Sequence, residues 1–183
     1  GEKIETFSRE QIWKLFGVLF QDYAKYPVSV ADNIAPGADA GQRAKIAKAA
    51  ETSELDNVLE KLPQGMDTVL GKIAEDGVDV SGGEWQRIAM ARLYYQNAEL
   101  KILDEPTAGL DPKATAELYQ LIARLNHQDG ITVLMISHDL TAALDAASHI
   151  LHIGQTVFFG TVDAYRTSPE GRLFAARKGG AAQ

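Results

Sequence analysis

The 183-residue chain contains no cysteine. Disulfide bonds and thiolate metal sites are therefore excluded, and a reducing compartment such as the cytosol fits this composition. Apolar runs are short, as at 15–20 and 131–136, and none approaches the ~20 residues that a membrane-spanning helix needs. The chain itself therefore contains no predicted membrane span.

Basic residues are fewer than acidic ones: the chain has 18 Lys and Arg, 25 Asp and Glu, and a formal net charge of −7. A protein that binds nucleic acid by neutralising phosphates is normally basic, so we expect no nucleic-acid partner. The hydrophobic fraction of 45% is typical of a folded globular chain and argues against global disorder.

Strand-like and helix-like segments alternate in the second half of the chain. Apolar runs predict strands, and N-cap residues followed by apolar periodicity predict helices. This alternation predicts an α/β fold with a largely parallel sheet. The predicted strands are 14–21, 100–103, 131–137, 150–153 and 156–159, and the helices between the later ones are 112–127 and 140–147.

The middle of the chain contains no strong strand pattern. An Ala-, Lys- and Glu-rich stretch predicts a helix over 40–62, which Pro63 ends, and Ser81 opens a second helix to about residue 96. We therefore expect a helical subdomain at 28–97, inserted between sheet segments at 1–27 and 98–183.

Two adjacent carboxylates end the strand in Leu100-Lys-Ile-Leu-Asp-Glu-Pro-Thr107. In open α/β sheets ligands bind beyond the carboxyl ends of the strands. One acid, Asp104, could hold Mg²⁺, and the next, Glu105, could accept a proton from an attacking water. An Asp-Glu pair alone is equally typical of solvated acids; the surrounding segment favours the functional interpretation.

The helix that begins near Ser81 has two glycines in its first turn. Ser81 is a good N-cap, and Gly82 and Gly83 would let an anion approach the backbone N–H groups there. Gly-Gly in a first turn is costly for helix stability, which favours an anion-binding function over a plain turn.

A third polar strand end is His138, which follows the apolar run 131–136. A histidine there could contact a phosphate or orient water, although helix capping explains an isolated one equally well. The neighbours Ser137 and Asp139 do not make it a hydrolase triad, because triad members meet in space and no Gly-x-Ser-x-Gly elbow is present.

Together these segments resemble the ATPase domain of ABC transporters over about residues 15–160. The resemblance implies ATP and Mg²⁺ as ligands, with Asp104 and Gln21 at the metal and Glu105 as general base. It matches Ser81-Gly82-Gly83-Glu84 to the signature motif, 100–105 to the Walker B strand, 108–111 to the D-loop, His138 to the switch histidine and Gln21 to the Q-loop.

The same resemblance implies a head-to-tail dimer that sandwiches ATP. His138 and Gln21 would position the γ-phosphate and water, and Asp111 would link the two sites. The nucleotide contacts made across the dimer would come from Ser81, Gly82, Gly83 and Glu84.

Two shorter segments are similar to exporter-type ABC proteins: Val30–Ile34, and Glu75-Asp76-Gly77, which resembles the X-loop that meets transmembrane coupling helices. The chain departs from the exporter pattern at Lys72 and Ala74, and Glu84 replaces the commoner Gln. The resemblance implies transmembrane domains as partners and a location on the cytoplasmic face of the plasma membrane.

A phosphate-binding P-loop, G-x-x-x-x-G-K-[ST], is absent from the sequence. Only Gly77–Gly82 has its glycine spacing, and Gly83 and Glu84 follow instead of lysine and a hydroxyl. We expect the chain to be a fragment without Walker A that is inactive alone. The open alternatives are an ABC-type ATPase of DNA repair or translation, which the short spacing between Ser81 and Asp104 disfavours, and a non-catalytic binding module.

Overall fold

The computed structural model describes residues 3–71 and 77–173. The X-loop resemblance at Glu75 and Asp76, and the departures at Lys72 and Ala74, lie outside the described residues. The chain divides into two compact units, 1–136 and 137–183, and each is described by itself.

The first unit combines six α-helices with three strands among its described residues. Short 3₁₀ turns at Ile4–Thr6, Ala40–Gln42 and Gly65–Asp67 connect some of them. The helices are α1 (Arg9–Leu15), α2 (Val30–Ile34), α3 (Arg43–Thr52), α4 (Asp56–Leu59), α5 (Gly82–Tyr95) and α6 (Pro112–His127), and the strands are β1 (Phe16–Leu19), β2 (Leu100–Asp104) and β3 (Thr132–Ile136).

The three strands form a parallel sheet in the order β1-β2-β3. Leu19 pairs with Leu103, and Asp104 pairs with Ile136, so all three carboxyl ends lie at one edge. The predicted α/β fold with parallel pairing is confirmed, and its middle strand carries the two adjacent acids.

The predicted strand over 14–21 is wrong in extent. Helix α1 runs to Leu15, and strand pairing covers only Phe16–Leu19. Ser8 and Gln11 form a capping box in which the Ser8 backbone N–H donates to Gln11 Oε1 at 2.8 Å and Ser8 Oγ accepts from the Gln11 N–H at 3.3 Å. The capping box starts a helix at Arg9, and that helix includes Lys14 and Leu15, the first residues of the predicted strand.

The predicted helix over 40–62 is interrupted. Helix α3 ends in a Schellman motif, in which the Leu55 N–H donates to Ala50 O at 3.0 Å and the Glu54 N–H donates to Glu51 O at 2.9 Å. Glu54 adopts a left-handed conformation, φ +55°, at the position that usually holds glycine. A short helix, α4, resumes at Asp56.

Two clusters of buried apolar residues stabilise the first unit, and α5 contributes to both. Trp85, Ile88 and Ala91 pack into the cluster formed with α2, α3 and α4, while Ala89, Met90 and Leu93 pack into the cluster beneath the sheet. Helix α5 is therefore buried on most of its circumference and joins the helical region to the strands.

A lysine lies inside this core. Lys101, in the middle of the sheet, is only 2% exposed, and its ammonium donates to Leu93 O at 2.8 Å near the end of α5. Its register partner is Gly17, where a Cβ would lie 3.2 Å from Lys101 Cδ and 2.8 Å from Leu93 Cδ1. The glycine thus leaves room for the lysine stem.

The second unit contains α7 (Leu140–Ala146), β4 (His149–Ile153), β5 (Val157–Thr161) and α8 (Val162–Thr167). Strands β4 and β5 form an antiparallel hairpin, close to its predicted position. Tyr165 is 1% exposed, packs edge-on against Phe158 and contacts His152 Nδ1 through its hydroxyl at 2.9 Å. Across 3–71 and 77–173, no helix has the length and apolarity to cross a bilayer.

Candidate functional site

Asp104 and Glu105 lie at the carboxyl end of the central strand. Glu105 has a left-handed backbone, φ +44°; its N–H donates to Ile136 O at 3.0 Å, and its carbonyl accepts from the Ala108 N–H at 3.0 Å. The chain therefore turns sharply directly after the strand. Asp104 is therefore the last residue of the strand, and Glu105 is the first residue of the turn.

Gln21 lies two residues beyond the end of β1, the strand that pairs with the one carrying the two acids. Because β1 and β2 are parallel, Gln21 and Glu105 both follow strand ends at the same edge of the sheet. The role of Gln21 at a metal or phosphate stays a prediction.

His138 follows Ile136, the last residue of β3, by two positions and belongs to the second unit. Next to it, Asp139 is the N-cap of α7, and its Oδ1 accepts from the Thr141 N–H at 3.1 Å. The sequence neighbours Ser137 and Asp139 thus serve local turn geometry: the Ser137 hydroxyl accepts from the Asp139 N–H at 3.1 Å. The catalytic role of His138 stays a prediction.

Ser81 and Glu84 close the start of α5 in a reciprocal capping box. Ser81 Oγ accepts from the Glu84 N–H at 3.3 Å, and the Ser81 N–H donates to Glu84 Oε2 at 2.8 Å. That backbone hydrogen bond, together with Lys61 at 3.7 Å, holds the pKa of Glu84 below its usual range. The Glu84 carboxylate thus caps its own helix, and the predicted nucleotide contact is left untested.

Both glycines that follow Ser81 have room for a side chain. A Cβ at Gly82 would meet nothing within 4 Å, and one at Gly83 would lie 3.6 Å from Ala114 Cβ, an ordinary contact. Packing therefore does not require glycine at position 82. The open space at Gly82 fits the predicted access of an anion to the first-turn N–H groups, which stays a prediction.

A groove of about 510 Å³ separates the start of α5 from the start of α6. One wall is the predicted signature segment, and the other consists of residues 109–111 of the predicted D-loop and the first turns of α6. Asp111 is the N-cap of α6: its Oδ1 accepts from the Lys113 and Ala114 N–H groups, each at 2.9 Å. The structure thus brings Ser81, Gly82, Gly83, Glu84 and Asp111 around one groove.

Gln86 is a site residue that sequence reasoning missed. It is 5% exposed, and its side-chain amide donates to Pro106 O at 2.6 Å, which ties α5 to the turn after Glu105. A second missed contact is Tyr23, whose hydroxyl donates to Gly82 O at 3.4 Å. The sequence offers one signal for Gln86, a glutamine on an otherwise apolar helix face. It does not indicate that the partner is the carbonyl of Pro106.

Comparison with known proteins identifies the family. The family model described as "ABC transporter" matches residues 1–108, and a second, "AAA domain, putative AbiEii toxin, Type IV TA system", matches residues 79–145. The first match covers more than half of the chain, through the two acids at the end of β2. The chain belongs to the ABC transporter family, and the resemblance noted from its motifs is confirmed.

Curated relatives include flippases and ATP-binding proteins of transport systems. The ATP-dependent lipid A-core flippase of Haemophilus ducreyi is 36% identical over 85% of this chain and 26% of its own length. The nisin transport ATP-binding protein NisT of Lactococcus lactis is 38% identical over 73% of this chain and 22% of its own. The chain therefore spans about a quarter of the curated relatives it matches.

A solved structure agrees with these relatives. A bacterial Atm1-family ABC exporter with ATP bound superposes with a TM-score of 0.76 and 28% identity, covering 98% of this chain and 31% of that one. The exporter-like assignment and the α/β ATPase fold are therefore supported by sequence and by structure.

Proposed function

We propose that this chain contributes the signature and water-activating parts of an ATP-hydrolysing domain that powers an ABC exporter. The observation that carries the proposal is the carboxyl edge of the parallel sheet, where Asp104 and Glu105 end β2 and Gln21 follows β1. The turn after Glu105 is hydrogen-bonded through Gln86 to α5, the helix that begins with Gly82 and Gly83. The cargo would be selected by transmembrane segments of the transporter.

The predicted residues take the following roles in this proposal. Glu105 would accept the proton of the attacking water, and Gln21 and His138 would orient that water and the γ-phosphate. In a head-to-tail dimer, the Ser81 hydroxyl and the first-turn N–H groups of Gly82 and Gly83 would contact the γ-phosphate of the nucleotide held by the other ATPase domain. Asp111 and Glu84 would hold the two helix starts that form the groove.

The oxygen donors at this edge fit Mg²⁺. In nucleotide sites Mg²⁺ keeps several waters and phosphate oxygens and needs only one or two protein ligands, which Asp104 and Gln21 would supply. No cluster of three acidic or histidine side chains, of the kind a protein-only metal cage needs, occurs among residues 3–71 and 77–173. When bound, the ion would neutralise phosphate charge.

The partners follow from the same proposal. A second ATPase domain would complete the nucleotide sandwich, and the transmembrane domains of the exporter would receive the conformational change. The domain would lie at the cytoplasmic face of the plasma membrane, where ATP is available.

Gly82→Ala tests the proposed phosphate contact. In a transporter chain that also carries a P-loop, we expect ATP turnover to fall roughly 10- to 100-fold, because the methyl group intrudes where the phosphate approaches. Folding should not suffer, since the methyl meets no atom within 4 Å and alanine favours helices by up to about 1 kcal/mol.

The matched control is Gly41→Ala, a glycine outside the groove whose added methyl would meet only the Asp39 carboxylate, at 3.1 Å. Turnover is measured by phosphate release and folding by thermal melting. Wild-type turnover in a stably folded Gly82→Ala transporter would refute the phosphate contact.

The 183-residue chain by itself should not bind or hydrolyse ATP measurably, because its sequence contains no P-loop lysine to hold the phosphates. We expect no shift of the melting temperature with millimolar Mg-ATP, whereas bound ligand at 100 times its Kd would stabilise by about 2.7 kcal/mol. A clear shift would show that other residues of this chain supply the phosphate site.

A further inference from the structure

We propose that Glu54 is a positioning residue, the centre of an ionic clamp that fixes the helical region against α6 and so sets the width of the groove beside the signature glycines. The clamp consists of Glu54, Arg87, Glu117 and Arg124. The consequence for ATP turnover rests on the function proposed above; the clamp itself does not.

The contacts join three separate elements. Glu54, in the turn after α3, accepts from Arg87 Nη1 through Oε2 and from Arg124 Nη2 through Oε1, each at 2.6 Å. Arg87, on α5, also donates through Nη2 to Glu117 Oε2 on α6 at 2.5 Å. One carboxylate thus binds both the signature helix and the helix that follows the D-loop.

The backbone at Glu54 shows that this side chain is not incidental. It occupies the left-handed position of the Schellman motif, where glycine avoids the strain that a side chain brings. A glutamate at this position strains the backbone, and its hydrogen bonds to Arg87 and Arg124 offset that strain. Their hydrogen bonds, Arg87 first and then Arg124, hold the pKa of Glu54 below its usual range.

Two members of the clamp line the groove. Arg87 and Glu117 lie on its wall and are hydrogen-bonded to each other, and they belong to the two helices that begin at Gly82 and directly after Asp111. Arg87 is also the neighbour of Gln86, which donates to Pro106 O on the other side of the D-loop. Consecutive residues of α5 therefore hold both flanks of the segment 106–117.

The side chains of Glu54, Glu117 and Arg124 are 41%, 38% and 38% exposed, so each ion pair stabilises the fold only weakly. The pairs are coupled, because Glu54 binds two arginines and Arg87 binds two glutamates, so the cluster contributes mainly geometry. A clamp of this kind should therefore govern the spread of α5–α6 distances more than the melting temperature.

A spin-label distance measurement tests the clamp directly. The chain has no cysteine, so Glu60→Cys and Ala116→Cys give one label on the helical region and one on α6, both at exposed positions. Glu54→Gly removes the carboxylate and relieves the left-handed strain. We expect at least a doubling of the width of the distance distribution, with an unchanged or higher melting temperature.

Two further variants separate the carboxylate from the backbone. Glu54→Gln keeps a side chain and should broaden the distribution too, whereas Glu51→Gln, the same change at an exposed site on α3, should not. Widths of both Glu54 variants equal to that of Glu51→Gln would overturn the clamp.

The consequence for function is read in a transporter chain that carries a P-loop. There Glu54→Gly should raise the KM for ATP about fivefold while kcat stays within about twofold, because the groove presents the signature less often in its productive position. Broadened distances with an unchanged KM would keep the clamp and refute the role of the groove in binding the partner's nucleotide.

Discussion

Glu105→Gln is expected to lower ATP turnover of the P-loop-bearing transporter by roughly 10²- to 10⁴-fold, the range that a general base contributes. The amide cannot accept the proton of the attacking water, yet it has the size of the carboxylate. The turn at this position is held by backbone hydrogen bonds to Ile136 and Ala108, which the substitution leaves intact. ATP binding should therefore persist while hydrolysis stops.

Phosphate release and equilibrium binding of Mg-ATP measure the two halves of this expectation. Glu99→Gln is the matched control, because Glu99 is exposed and lies directly before the same strand. Unchanged turnover in Glu105→Gln would remove Glu105 from the chemistry. Loss of ATP binding together with turnover would instead assign it a role in holding the nucleotide.

Lys101→Met is expected to stabilise the chain by about 1 to 2 kcal/mol at pH 7. Burial, helped by the charge of Lys45, lowers the pKa of Lys101 from 10.5 to about 8. A shift of that size corresponds to a penalty of about 3 kcal/mol on the folded, charged state. Methionine avoids this penalty but loses the hydrogen bond to Leu93 O, which costs about 1 kcal/mol and reduces the net gain.

The lowered pKa of Lys101 also sets how the stability of the wild type changes with pH. Between pH 8 and about 10.5 the unfolded chain holds the Lys101 proton and the folded chain has released it. The free energy of unfolding of the wild type should therefore rise relative to that of Lys101→Met as the pH increases from 8 to about 10.5. Below pH 8 the difference between the two proteins should be constant.

Urea denaturation at pH 7, 9 and 10 checks both points, with the exposed Lys48→Met as control. A variant that is less stable than wild type at every pH would show that the ammonium contributes more through Leu93 than its burial costs.

The helices and strands that carry the site were predictable because local signals agree there. Ser81 and Asp111 are strong N-caps, Pro112 fits a first helical turn, and both helices begin where those residues stand. The strand pairing of 100–104 with 132–136 followed from two apolar runs and the rule that such strands lie parallel in α/β folds.

Other features depend on tertiary contacts that no local pattern reveals. Nothing in the sequence marks Glu54 as a helix end, because the Schellman position holds glutamate, and its two arginine partners lie 33 and 70 residues away. The same holds for the amide of Gln86, whose acceptor is the carbonyl of Pro106. The site residues could be predicted from their residue types and their spacing in the motifs. The tertiary contacts that orient them could not.

The register of β1 and β2 has a consequence for how the chain folds. Phe16 pairs with Leu100, so the central pairing must close a loop that contains the whole helical region. Closing long loops is entropically costly, and contacts distant in sequence form slowly. Substitutions that weaken packing among α2, α3 and α5 should therefore slow folding itself, because these helices lie in the loop that the β1–β2 pairing closes. The β2–β3 pairing, which joins Leu100 to Thr132, closes a shorter loop and is less exposed to that cost.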